Sequence, residues 1–479
     1  MNSLAKFGQR EHYISPGQLQ NISTTASVGE RADVASLYED YLAYWQDQPL
    51  PAGQVVLIAL PNSPDLLAMF AAVLNSGYVP ALIAPTTPGE RVAQMIVDFA
   101  AGALIRSAAQ HTTWTGYGVS QAAELGRWQV GHVANAPLPL TQAGQVVIAT
   151  SGTSRAFSSG CVHWFSSLQT NALRHARSIG LTRADRILVN LPMYYSTALV
   201  AQTIAALELG AHLVISGPPF LVPTYLEDLR EHHITASSVT PVLLRQLNAH
   251  PQPFAPCLRL LTVGGDQAAP AEVSQCLASH PGLELYLTYG ISEAGPRVST
   301  CAAHRVSPQR LGSVGLPLDG TQVMLLRPGE DSLEGELLVS SDTLLTRKIG
   351  QDSHTPIIEL QGKRWLKTGD IFSQDHEGYL YFKGRNSDFI VIRDEKVNLG
   401  AIKQLCKRVP GVLACRTEVV REASTLAGFQ LELTVDRDVV REHQGDHFKT
   451  RLLKQLKHYE RPLAIALLHR DAQSMTNHK

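Results

Sequence analysis

Val55-Val56-Leu57-Ile58-Ala59-Leu60-Pro61-Asn62 opens the stretch that decides the fold. Its apolar run, closed by Pro-Asn, reads as a short buried strand. Asp65 to Leu74 follows with apolar residues at helical spacing and stops at Gly77. Val79 to Ile83 is a second apolar run, closed by Pro85. Strand, helix and strand of these lengths form a parallel crossover unit. The alternation recurs: Gln145 to Ala149, Arg186 to Asn190, Ala211 to Ser216, Ala236 to Val239 and Arg259 to Val263 read as strands, with Ser166 to Ser178, Thr197 to Leu209 and Tyr225 to His232 as helices. The spacing therefore predicts an α/β fold, a large N-terminal domain of sheets covered by helices.

From about Gly312 the texture changes to short strands with turn residues: Val323 to Leu326, Gly335 to Val339, Trp365 to Lys367 and Tyr379 to Lys383. This predicts a small β-rich subdomain over about 312–385, closing an N-terminal core of residues 1–385. Residues 386–479 read as a compact α+β domain, with strands at Phe389 to Ile392, Leu413 to Val420 and Phe429 to Thr434, and helices near Ala401 to Arg408 and His447 to His458.

A chain of 479 residues suits two or three domains. With a formal charge of −1, it offers no electrostatic case for nucleic acid or an anionic membrane as partner. No run reaches the ~18–20 apolar residues that span a bilayer, and Met1-Asn2-Ser3-Leu4-Ala5-Lys6-Phe7 lacks the apolar core of a secretion signal. Cys161, Cys257, Cys276, Cys301, Cys406 and Cys415 form no C-x-x-C pair, which argues against zinc and for reduced thiols in a cytoplasm. His232 and His233 are adjacent and point in different directions on a helix, as at a solvated helix end.

Several short pieces carry chemistry. Val146-Val147-Ile148-Ala149-Thr150-Ser151-Gly152-Thr153-Ser154 is a strand entering a loop of hydroxyls and glycine, which reads either as a plain turn or as an oxyanion cradle. It is not the G-x-x-x-x-G-K-[ST] loop. Leu287-Thr288-Tyr289-Gly290-Ile291-Ser292-Glu293 sets a purine-stacking ring beside a hydroxyl and a carboxylate suited to phosphate and Mg²⁺. Trp365-Leu366-Lys367-Thr368-Gly369-Asp370 places a carboxylate after a tight turn, as a grip on two adjacent hydroxyls would need. Gly384-Arg385 follows with a guanidinium that forks onto sugar or phosphate oxygens.

In this order the pieces resemble the adenylate-forming superfamily, which includes acyl- and aryl-CoA synthetases, peptide-synthetase adenylation domains and luciferase. The resemblance runs from Ala59-Leu60-Pro61-Asn62-Ser63 to the C-terminus and takes in Gly312-Ser313-Val314-Gly315-Leu316-Pro317 and Gly335-Glu336-Leu337. It implies ATP-dependent formation of an acyl-adenylate, then transfer to the pantetheine of coenzyme A or of a carrier protein. It implies that Thr150, Ser151, Gly152, Thr153 and Ser154 embrace the ATP phosphates, and that Gly264 and Gly265 line the junction of acyl pocket and adenine. Tyr289, with Gly290 beside it, would stack on the adenine; Ser292 would contact the α-phosphate and Glu293 would assist Mg²⁺. Asp370 would bind the ribose with Arg385 nearby, the C-terminal domain would swing about Ser387, and Lys479 would enter the site as the catalytic lysine.

The chain departs from the family pattern in three places. Ser154-Arg155-Ala156-Phe157-Ser158-Ser159-Gly160 lacks the usual lysine of the phosphate loop, leaving Arg155 as the nearest cation. Asp394 stands where a glycine normally admits the pantetheine arm, which keeps an amine or hydroxyl acceptor open. Tyr195 replaces a histidine frequent in acyl-CoA members, so Tyr194 and Tyr195 are pocket candidates, with core packing as the alternative. No acidic residue lies between Asn190 and Ala206 to hold an α-ammonium group, which favours an aromatic or aliphatic acid without one. The missing lysine also leaves open a weakened member that only binds nucleotide or acyl ligand.

Overall fold

The computed structural model describes residues 12–25, 33–107, 114–151, 158–217, 220–329, 332–351, 353–392, 395–422, 425–441, 445–456 and 460–470. The chain forms two compact units, residues 1–323 with 339–366, and residues 324–338 with 367–479.

The first unit is built on two eight-stranded sheets. In one, Gln145–Ser151, Val79–Leu82, Val55–Ala59 and Ala101–Ser107 lie side by side, all parallel. Val55, Leu57 and Ala59 bury one face against Val92, Met95, Ile96 and Phe99 of the Gly89–Asp98 region, the alternation a pleated strand imposes. Helix Pro64–Asn75 connects Val55–Ala59 to Val79–Leu82 and is buried on almost every side, as a helix apolar nearly all round must be. Ser63 caps it by accepting from the Leu66 N–H at 3.2 Å, and Pro64 takes the first turn, where no N–H is needed. The one charge on this helix, Asp65, is satisfied by Tyr41, Trp128 and Arg127.

The other sheet runs Ile22–Thr24, His212–Ile215, Arg186–Val189, Ala236–Val239, Leu260–Val263, Glu284–Gly290, Arg297–Ala302, Leu316–Pro317. It is parallel up to Glu284–Gly290, and its last two pairings are antiparallel. The expected parallel α/β core is therefore present. The segment expected as one helix from Thr197 to Leu209 is a π-helix over Thr197–Ile204 continued by an α-helix over Ala205–Leu209.

In the second unit, Leu380–Arg385 pairs antiparallel with the far half of the long strand Lys363–Gln374. The tight turn expected at Thr368-Gly369 is instead a kink within that strand, with Gly369 at φ +71°. Farther on, Val412–Glu422, Thr425–Asp436 and Ala464–Arg470 form a three-stranded sheet. Phe429, Leu431, Leu433 and Val435 of its central strand share a core with Ile402 and Cys406 of helix Leu399–Lys407 and with Phe448 and Leu452 of helix Gly445–Leu453. This second unit takes in Met324–Leu338 and resumes at Lys367, where Leu380–Arg385 finds its ladder partner in the strand that continues past Lys367.

Candidate active site

Two strand ends carry the candidate residues of the first unit. Thr150 closes Gln145–Ser151, and its hydroxyl lies 2.6 Å from Ser159 Oγ and 3.1 Å from the Ser159 carbonyl on the neighbouring strand Ser158–Trp164. Ser151 ends the same strand; Gly152, Thr153, Ser154 and Arg155 lie outside the described residues.

Glu284–Gly290 ends in Tyr289, which is nearly buried, and Gly290. A Cβ at Gly290 would stand 2.4 Å from the Pro296 carbonyl, so the close return of the chain requires glycine there. Ser292–Ala294 is a single 3-10 turn held from three directions. His163 Nε2 donates to the Ser292 carbonyl at 2.8 Å, the Leu345 N–H donates to the Glu293 carbonyl at 2.9 Å, and Thr343 Oγ1 donates to the Ala294 carbonyl at 3.0 Å. Complete burial holds the His163 pKa down at about 4, against the opposing pull of backbone hydrogen bonds at Ser292 and Thr343, so the ring is neutral. With its backbone anchored and Ala294 buried, the turn leaves Ser292 and Glu293 half-buried: Ser292 Oγ meets Ser196 Oγ at 3.3 Å, and the Glu293 carboxylate faces Lys348 Nζ at 3.9 Å.

Tyr194 and Tyr195 form a tilted ring pair with centroids 4.7 Å apart. Burial, then the charge and hydrogen bond of Tyr195, pushes the Tyr194 phenol up to about 12, and burial raises Tyr195 as well, so both stay protonated donors at neutral pH. The segment leading to them is clamped by Asn62, which donates to the Leu191 carbonyl and accepts from the Met193 N–H, both at 2.8 Å. Gly264 and Gly265 follow the strand Leu260–Val263, with Gly265 at φ +88° and open space where a side chain would project.

In the second unit Asp370 is 3% exposed and lies directly across the ladder from Arg385, whose Nε is 3.4 Å from Asp370 Oδ1. Thr368 Oγ1 donates to the Leu337 carbonyl at 2.8 Å and accepts from the Asp370 N–H at 3.1 Å. Glu336 accepts from the Gly369 N–H at 3.0 Å and pairs with Lys367 at 3.4 Å. The kink at the carboxylate is thus pinned by Glu336 and Leu337 of the strand Glu334–Ser340. Ser387 lies in the 3-10 turn Asn386–Asp388; Asp388 accepts from the Arg385 N–H at 3.2 Å and from Lys403 at 2.5 Å. Asp394 and Lys479 lie outside the described residues.

Residues 48–347 match the family described as AMP-binding enzyme. The chain belongs to the AMP-binding enzyme family. A 2-succinylbenzoate–CoA ligase of Bacillus pumilus is 27% identical over 361 residues, 73% of this chain and 71% of the relative. A sulfoacetate–CoA ligase of Cupriavidus necator is 29% identical over 59% of this chain and 56% of its own. The o-succinylbenzoate CoA synthetase (MenE) of Bacillus subtilis, solved with its acyl-adenylate intermediate, superposes with a TM-score of 0.76 at 20% identity, covering 95% of each chain. That structural likeness establishes the fold.

For this AMP-binding enzyme the sequence motifs mark strand ends and turns, while most of the residues that brace them belong to no motif. His163, Asn62, Thr343 and Lys348 reach the motif turns from far along the chain. Asn62 alone had a signal, since it closes the Leu60-Pro61-Asn62 stretch that belongs to the family resemblance.

Proposed function

We propose that this chain activates a carboxylic acid with ATP and passes the acyl group to the thiol of coenzyme A or of a carrier protein's phosphopantetheine. The family match over residues 48–347 carries the reading, supported by the braced turn that presents Ser292 and Glu293. A carboxylate is a poor acyl donor because its leaving group would be an oxide. Attack of its oxygen on the α-phosphorus of ATP expels pyrophosphate and leaves a mixed anhydride with a good leaving group. The protein has to position two anions and offset their repulsion.

In this reading the Thr150–Ser154 loop cradles the phosphates, Tyr289 stacks on the adenine beside Gly290, and Ser292 meets the α-phosphate. Asp370 grips the ribose with Arg385 beside it, Gly264, Gly265, Tyr194 and Tyr195 bound the acid, Ser387 marks the hinge of the C-terminal domain, and Lys479 bridges carboxylate and phosphate oxygens. Glu293 suits Mg²⁺: it is a partly exposed hard oxygen donor, and Mg²⁺ commonly takes one or two protein carboxylates together with phosphate oxygens and water. Bound there, the ion would supply charge neutralisation at the phosphates. Lys348, 10% exposed and facing Glu293, is a second cation at this turn and offsets the absent loop lysine.

The relatives' acids, 2-succinylbenzoate and sulfoacetate, have no α-amine, in keeping with a segment from Asn190 to Ala206 that holds no acidic side chain. Asp394, in place of a glycine, supports a second reading in which the adenylate is passed to an amine or hydroxyl. A carboxylic-acid panel scored by pyrophosphate release, with hydroxylamine as trap, tests the first half-reaction. Absence of acid-dependent release across the panel would leave only ligand binding. Adding coenzyme A, a pantetheinylated carrier or an amine in turn then separates the acceptors.

A further inference from the structure

Arg297 is a buried cation that pairs with no carboxylate among the described residues. Its side chain is almost fully enclosed, Nη1 donates to Thr288 Oγ1 at 2.8 Å, and Nε meets no acceptor. Thr288 commits its own proton to the Val263 carbonyl at 3.1 Å, which turns its lone pairs toward the guanidinium. Asn171 locks the Arg297 backbone, accepting from its N–H and donating to its carbonyl, both at 2.9 Å. His175, on the helix Phe165–Ser178 with Asn171, is also buried, with Nδ1 unpartnered; burial and the Arg297 charge hold it neutral.

Withdrawing a cation from water is costly, and one neutral hydroxyl does not offset that cost. Burial brings Arg297 down to about 10, which still leaves it charged at neutral pH. The guanidinium sits against Gly264, where a Cβ would lie 3.2 Å from Nη1 and 2.4 Å from Thr288 Oγ1, while the next residue, Gly265, faces open space. A guanidinium with an unused Nε–H, rigidly held beside Gly264 and one residue from the open Gly265, matches the oxygens of a carboxylate or sulfonate.

We propose that Arg297 sets the substrate class: the acid carries a second anionic group, a carboxylate or sulfonate, that this guanidinium binds while the first carboxylate is activated. The inference rests on the carboxylate-activating reading and adds a specificity-determining residue to it. Without the second anion the buried charge stays unpaired, and a site built for a polar group rejects analogues that lack it.

The test compares matched acids: acetate with sulfoacetate, propionate with succinate, benzoate with phthalate, and 4-oxo-4-phenylbutanoate with 2-succinylbenzoate. Pyrophosphate release by the full chain should favour the dianionic member of at least one pair by about tenfold or more in kcat/KM. In Arg297→Met that ratio should fall to about one, chiefly through KM; a merely structural arginine would lower both members alike and leave the ratio in place. Preference for the monoanions, or an unchanged ratio in R297M, overturns the proposal. Should R297M fail to fold, Arg297→Lys, which keeps the charge and loses the fork, must still lower the ratio. If no acid releases pyrophosphate, the activation reading fails and thermal-shift titration decides the anion site. Stabilisation of the unmodified chain by dianions only, absent in the variant, retains it; no selective stabilisation overturns it.

Discussion

Replacing His163 with glutamine should flatten the acid side of the stability profile, because this ring is neutral in the fold and titrates freely once unfolded. Its folded pKa is about 4 against an ordinary 6.5, the lowering coming from complete burial. Above about pH 6.5 neither state binds the proton and the contribution of the neutral ring is intact. As pH falls from 6.5 toward 4, the unfolded chain takes up the proton first and stability is lost. A difference of about 2.5 units at about 1.36 kcal/mol each sets the full effect near 3 kcal/mol. Glutamine keeps a donor for the Ser292 carbonyl and cannot titrate. Urea unfolding followed by tryptophan fluorescence at steps from pH 7.5 to 4 gives the two profiles. His175, pushed the same way by burial, is present in both proteins and cancels in their difference. The chain with His163 should lose roughly 3 kcal/mol more than the variant across that window. Parallel profiles would show that the His163 ring is not the enclosed neutral donor described above, and with it the bracing of the Ser292–Glu293 turn would fall.

Other substitutions read other parts of the site. Gly264→Ala drives a methyl to 2.4 Å from Thr288 Oγ1, so chemical denaturation should report a loss of about 1–3 kcal/mol from overpacking; an unchanged midpoint would mean the turn yields freely. Asp370→Ala removes a buried carboxylate whose partner Arg385 is half exposed and can turn to water. Thermal stability should therefore change little, whereas ATP should bind at least about tenfold more weakly through loss of charge-assisted hydrogen bonds. Unaltered nucleotide affinity by calorimetry would remove Asp370 from the ribose site. Deleting Lys479 should slow adenylate formation in single-turnover assays while leaving ATP binding intact, and wild-type rates in the truncated chain would make that residue a plain terminus.

Much of the architecture was legible because parallel strands buried on both faces are written as unbroken apolar runs, as at Val55 to Ala59. The hairpin of Val119–Leu125 with Trp128–Val133 was not, since Val119-Ser120-Gln121-Ala122-Ala123-Glu124-Leu125 lies at a sheet edge and mixes polar with small residues. Ser158–Trp164 likewise hid behind Ser-Ser-Gly, though it pairs along its whole length with Gln145–Ser151. At Thr368-Gly369 the local turn chemistry misled, because Glu336 and Leu337 of the neighbouring strand hold glycine's positive φ within a continuing ladder. Motif residues such as Tyr289, Glu293 and Asp370 stood out through spacing. Arg297 and His163 did not: what makes a cation unpaired or a ring neutral is its distant neighbours, and no local pattern encodes them.

The measurement nearest the central claim is the identity of the phosphorus products. With ATP, Mg²⁺, hydroxylamine and an accepted acid, phosphorus NMR should show AMP and pyrophosphate rising together, matched mole for mole by hydroxamate. ADP with inorganic phosphate, or AMP formation indifferent to the acid, would contradict activation of a carboxylate as its adenylate.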